Sequence, residues 1–232
     1  MIRSKKAVRA VILDVDGTLL YSNEAHARAF VEAARQMGID PPAVDEVLRL
    51  IGMGADKLIP RAFGFEQDDP QGEELEERKG NIFRSRYLQS LEPTPEVRAL
   101  LERLKADGYA LVVATSASPD ELDGLLQRAG VRDLIEDATS ADEVDESKPE
   151  PDVVHAALQQ ARVAPHEAVM IGDTPYDVEA ARAAGVTVIA LRTGGWSEKD
   201  LSGAIAVYAD PAELLDRYAE SPLGRRGAGS TA

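Results

Sequence analysis

The chain has no cysteine. Disulfides and thiolate metal ligands are therefore excluded, and a cytoplasmic location is the expectation. Histidine is scarce, with three in 232 residues. His26, His155 and His166 share no partner pattern and read as structural or exposed. Long apolar runs are missing too. Nothing approaches the ~20 residues of a membrane span. In MIRSKKAVRAVILDV, basic residues precede a short apolar stretch that runs into aspartates, which reads as a strand and not a signal peptide. Positive charge is in deficit: 26 Lys and Arg against 41 Asp and Glu leave a net charge of −15 at pH 7. Nucleic acid and anionic membranes are disfavoured as partners. An anionic substrate would need a local cluster of cations or a bound metal.

What is present suits a globular protein. A length of 232 residues fits one large or two small domains with a sizeable core. The hydrophobic fraction of 44% and charged fraction of 29% are ordinary. The run 7–13 reads as a buried strand, and 22–37 as a helix stopped by Gly38. Helices follow at 43–51 and 56–63, and a long charged one at 73–91. No strand candidate falls between 20 and 91. From Pro93 the pattern changes. Strands at 109–114, 134–135, 168–171, 186–190 and 205–208 alternate with helices at 95–106, 119–129, 150–161, 176–184 and 211–218. That alternation argues for an α/β fold with a doubly wound parallel sheet. The Gly-, Arg- and Ser-rich tail 221–232 reads as disordered.

The first strand runs into DVDGTLL, Asp14 to Leu20. Side chains alternate along a strand, so Asp14 and Asp16 share a face while the chain stays extended. Two carboxylates that close call for a cation, a proton or a substrate. The carboxyl end of a strand is also where ligands bind in open α/β sheets. A plain turn would use the same residue types, so the rest of the chain has to decide.

Three more features fall after predicted strands or in a loop leading into a helix. They are Thr115-Ser116, Lys148-Pro149 and Gly172-Asp173-x-x-x-Asp177. Taken singly, the hydroxyls suit a cap, Lys148 a solvated surface, Asp173 a helix cap and Asp177 an exposed helix face. Together they place carboxylates, hydroxyls and one lysine on one sheet edge. That inventory suits a hard divalent cation, Mg2+ above all, and a phosphoryl group.

In this order and spacing the motifs resemble the haloacid dehalogenase-like (HAD) superfamily, over roughly residues 7–218. The nearest in kind are its helical-cap phosphatases, similar to phosphoglycolate phosphatase and β-phosphoglucomutase. The resemblance implies a Rossmann-like core from 1–19 and 92–220 and a helical cap from 20–91. It implies that Asp14 is the nucleophile forming an aspartyl-phosphate. Asp16 is then the general acid and base, Thr115 a phosphoryl hydrogen-bond donor, and Lys148 the neutralising cation. Mg2+ is held by Asp14, Asp173 and the backbone carbonyl of Asp16, with Asp177 supporting from outside. The implied activity is a phosphatase of small phosphorylated metabolites, phosphoglycolate-like or sugar-phosphate-like, in a monomer or weak homodimer.

Asp16 argues against carbon–halogen cleavage, which has no leaving oxygen to protonate. The mutase alternative usually carries Glu-Asp where this chain has Gly172-Asp173, and a cap arginine where Ala55 falls. A catalytically silent binding protein would have no need of the full set. In the cap, Arg49, Lys57, Arg61 and Arg86 are candidate cations for specificity. Gly52-Met53-Gly54 is a candidate loop facing the core, and Ser116, Gly52 and Lys57 are the candidate substrate contacts. Trp196 reads as a packing residue.

Overall fold

The computed structural model describes residues 8–139 and 146–224. Short runs form the sheet, and its central strands are apolar and mostly buried. The six strands are β1 (Ala10–Leu13), β2 (Ala110–Ala114), β3 (Asp137–Thr139), β4 (Ala168–Gly172), β5 (Thr187–Leu191) and β6 (Ala206–Tyr208). The order is β3-β2-β1-β4-β5-β6 and every pairing is parallel. This is a doubly wound sheet whose winding reverses between β1 and β4. Leu13 stands beside Val113 on one side and Ile171 on the other. The residues that follow these three strands therefore meet at one crevice.

The sheet is covered on both faces. Val11, Leu13, Leu111, Val113 and Ile171 pack towards α5 (Val97–Ala106) and α6 (Pro119–Arg128). Ala10, Ile12, Val112 and Met170 pack towards α7 (Asp152–Ala161) and α8 (Pro175–Ala183). Two-sided burial explains why these strands read as continuous apolar runs.

Between β1 and β2 the chain is helical: α1 (Asn23–Gln36), α2 (Val44–Leu48), α3 (Ala55–Phe63) and α4 (Pro70–Ile82). The single helix expected over 73–91 is not continuous. After α4 the coil widens into a π-turn, Phe83–Tyr87, and then tightens into a 3-10 turn, Leu88–Ser90. The fully buried Phe83 begins the π-turn and stacks on His26, ring centroids 3.9 Å apart.

Two further expectations are corrected. Residues 134–135 are not a strand: Arg132–Leu134 is a 3-10 turn and the edge strand lies later, at Asp137–Thr139. The apolar pair buries side chains, whereas the strand is defined by backbone pairing to Val112–Ala114. The last helix, α9, is Pro211–Asp216, and order continues past residue 220. Ser221 and Leu223 are fully buried, and Tyr109 Oη donates to the Leu223 carbonyl at 2.7 Å. The rest of the expected tail, 225–232, lies outside the described residues. Among the described residues, no helix is long and apolar enough to cross a membrane.

Candidate active site

Asp14 follows β1 directly, and its amide donates to the Ile171 carbonyl at 3.0 Å. The chain then turns sharply at Gly17, whose φ is +77°. A Cβ there would lie 2.0 Å from Asp173 Oδ2, so only glycine fits. The turn brings Thr18 Oγ1 to Asp173 Oδ1 at 3.1 Å, and α1 brings Asn23 Nδ2 to Asp173 Oδ2 at 3.0 Å. Asp173 is thus held from both sides by donors across the sheet.

Lys148 has no exposed surface. Its Nζ meets Asp14 Oδ1 at 2.5 Å and Asp177 Oδ1 at 2.8 Å. The other Asp177 oxygen accepts from the amides of Asp173 and Thr174, at 3.2 and 3.0 Å, and from Thr174 Oγ1 at 2.7 Å. Thr174, not Asp173, caps α8. Oxygens of Asp14, Asp173 and Asp177 lie within 4.8 Å of one another. Asp177 is committed to Lys148 and the helix cap, which leaves Asp14 and Asp173 to receive a cation.

The electrostatics favour one. Burial pushes the Asp14 carboxyl up, Lys148 opposes it, and Asp177 and Asp16 add to it, for a pKa of about 7. Asp173 is raised for the same reasons, burial first, then the charges of Asp14 and Asp177, against the hydrogen bonds from Asn23 and Thr18. Burial lowers Lys148, but the two carboxylates more than restore it, and the net shift is upward. A hard divalent ion among oxygen donors would offset the crowding of Asp14 and Asp173.

Asp16 differs from its neighbours. Its Oδ1 accepts from Ser22 Oγ at 2.5 Å and lies 2.9 Å from His26 Nε2. Burial pushes this carboxyl up, but His26, Ser22 and Lys79 outweigh it and hold it at about 2. Of the two readings the sequence offered for His26, structural or exposed, the first holds, and the partner it lacked in the sequence is Asp16: His26 is buried between Asp16 and the Phe83 ring. Its signal in the sequence is the i,i+4 spacing from Ser22, the N-cap of α1, which brings both over the same side of the first turn. Lys79 was also missed. It sits over the Phe30 and Phe83 rings, 5.4 and 5.3 Å from their centroids, and pairs with the buried Glu121 at 3.0 Å. That pair joins α4 to α6, and no local pattern could reveal it.

A cavity of about 300 Å³ opens above Asp14 and Asp16. Thr115 and Ser116 line its floor, and Phe30, Ile51, Gly52, Met53 and Leu58 line the helical side. Thr115 Oγ1 accepts from the Ala117 amide at 3.1 Å, and Ser116 Oγ reaches the Gly52 carbonyl at 3.4 Å.

Residues 11–191 match the family described as haloacid dehalogenase-like hydrolase. The chain belongs to that family. Among its relatives, a phosphoglycolate phosphatase of Rhodospirillum rubrum is 33% identical over 216 residues, covering 90% of each chain. A hydrolase from Pseudomonas syringae superposes with a TM-score of 0.84 at 29% identity, over 91% of this chain and 98% of that one. CbbY from Rhodobacter sphaeroides, solved with xylulose-(1,5)bisphosphate, gives 0.76 at 27% identity, over 89% and 96%.

In this HAD-like hydrolase the cations expected to face the substrate are placed elsewhere. Lys57 does not line the cavity; it pairs with Glu146 and, at 3.8 Å, with Asp56. Arg49 stacks on Trp196, its guanidinium 4.7 Å from the ring centroid, and Arg86 pairs with Glu32 at 2.7 Å. Arg61 points at Met53 Sδ, 3.0 Å away. The cations that do line the cavity are Lys79 and Arg84. The π-turn that starts at Phe83 carries Arg84, and such turns are frequent at functional sites.

Proposed function

We propose that this phosphatase hydrolyses monoesters of small phosphorylated metabolites, phosphoglycolate-like or sugar-phosphate-like, through an aspartyl-phosphate on Asp14. The buried contact of Asp14 with Lys148, beside Asp173 at the reversal point of the sheet, carries the reading. Asp14 attacks the phosphorus, and the ester oxygen leaves with a proton from Asp16. Water then gives a proton to Asp16 and attacks the same phosphorus, which frees Asp14. Lys148 neutralises Asp14 and the phosphoryl group, and the Thr115 hydroxyl donates to a phosphoryl oxygen. Such chemistry asks a protein mostly for position and charge. Mg2+, held by Asp14, Asp173 and the Asp16 carbonyl, would supply further positive charge to the phosphoryl oxygens. His26 Nε2 and Ser22 Oγ both meet Asp16 Oδ1, which fixes that carboxyl at the edge of the cavity.

We assign 1–19 and 92–220 to a catalytic core and 20–91 to a lid that selects substrate. Phe30, Ile51, Met53, Leu58, Lys79 and Arg84 face the cavity from that segment. The relatives named above support both substrate classes. Phosphatase chemistry is favoured over mutase chemistry at Gly172. A Cβ there would lie 2.6 Å from Asp177 Cβ and Cγ, so the glutamate that such mutases usually carry in place of Gly172 has no room.

An aryl phosphate assay with and without Mg2+ tests the reading. Chelation is expected to abolish release and Mg2+ to restore it, with Ca2+ a poor substitute because it takes longer bonds and more ligands. Asp14→Asn is expected to cost at least about 10⁴-fold. Full activity after exhaustive chelation, or an Asp14→Asn protein within tenfold of wild type, would overturn it.

A further inference from the structure

The stretch from Arg49 to Lys57 touches three core loops, and in each it touches the neighbour of a site residue. Ser116, beside Thr115, reaches the Gly52 carbonyl. Thr174, beside Asp173, lies where a Cβ on Gly52 would meet it at 2.9 Å. Ser147, beside Lys148, makes the most complete contact. It is buried, its Oγ accepts from the Gly54 amide at 3.1 Å, and it donates to Asp56 Oδ1. A Cβ on Gly54 would lie 2.4 Å from Ser147 Cβ, so the Gly54 backbone packs directly on the Ser147 side chain and glycine is needed there. Lys57 pairs with Glu146 on the flank.

We propose that Ser147 is a positioning residue for Lys148, and that Asp56 and the Gly54 amide are the contact by which the helical segment holds it. The inference rests on the reading of Lys148 as the cation facing the phosphoryl group. A serine hydroxyl has one proton to donate, and Ser147 directs it to a carboxylate, the stronger kind of acceptor. The same oxygen receives an amide from the next turn of chain. Both bonds exist only while the helical segment is docked on the core. Docking therefore fixes the backbone that carries Lys148 at the moment the cavity is covered. Without it the four-carbon stem of Lys148 starts from a looser anchor. Displacements of about 1 Å at a reacting group cost on the order of 10²-fold in rate.

The test uses the full-length protein with Mg2+ and an aryl phosphate as the probe. Ser147→Ala and Asp56→Ala are each expected to lower kcat about tenfold or more, with KM changed less than threefold. The double variant is expected to be no slower than the slower single one, because both remove one contact. Asp56→Asn keeps an acceptor oxygen and is expected to stay within threefold of wild type. If Ser147→Ala does not fold, Asp56→Ala against Asp56→Asn carries the test. Single variants within twofold of wild type, or effects that multiply in the double variant, would overturn the proposal. An active wild type with both variants unchanged would sink the Ser147 contact alone; an inactive wild type would sink the phosphatase reading itself.

Discussion

At the carboxyl edge of the sheet, a fully buried Lys148 meets two buried carboxylates, whereas on the helical segment Arg28, Arg78 and Arg86 meet Glu24, Glu74 and Glu32 at the surface. The surface pairs sit in water and add little to stability. The buried cluster is expensive to assemble, and removing one member strands the others. A chain of net charge −15 has thus buried one lysine among carboxylates at the sheet edge, beside a residue that follows β1. The helical segment sends polar groups inward towards the chemistry, among them Ser22, Asn23, His26, Asp56 and Lys79.

The contrast is open to breaking. Lys148→Met should leave Asp14 and Asp177 buried without their cation and cost about 3–5 kcal/mol of stability, read by denaturant unfolding. A loss below about 1 kcal/mol would mean the cluster is no costlier than a surface pair. His26→Gln should lower kcat about 10²-fold, with a larger loss for poor leaving groups than for aryl phosphates, since general acid catalysis contributes about 10²–10⁴-fold. An equal loss for both would show that His26 does not act through Asp16.

A third effect is smaller and depends on pH. The folded pKa of Asp14, about 7, lies above its ordinary 3.8. An acid raised in this way favours folding below its unfolded value, and that stability is lost as pH rises towards 7. With chelator, Tm should fall by a few degrees between pH 5 and 8; with Mg2+ the slope should flatten. Equal slopes would contradict the crowding of Asp14 and Asp173. Smallest of all, Arg28→Ala should change stability by less than about 0.5 kcal/mol and leave kcat alone.

Much of the sheet was legible in the sequence because β1, β2, β4 and β5 are buried on both faces and read as apolar runs. Asp14, Thr115 and Asp173 could be found because they follow those strands. The remainder depends on contacts that local pattern does not encode. β3 is an edge strand recognised by its backbone partners. The π-turn begins at Phe83, which stacks on His26 as α4 ends, a contact across the chain that local pattern does not show. Thr18 finds Asp173 across 155 positions of chain, and Lys79 finds Glu121 across 42. Lys57 looked like a substrate cation because its sequence neighbourhood hides Glu146. Asp177 reads in the motif as a support from outside the metal-binding set, and the partner it pairs with there is Lys148.

The central claim is a covalent phosphoryl group on Asp14. The Asp16→Asn protein with an activated aryl phosphate is the setting in which that species should accumulate, because the first step needs little acid and the second lacks its base. Acid quenching, borohydride reduction and peptide mass spectrometry would then read it. The account predicts conversion of Asp14 to homoserine, dependent on substrate and Mg2+. Aryl alcohol released in a stoichiometric burst with Asp14 unmodified, or modification at another residue, would contradict it.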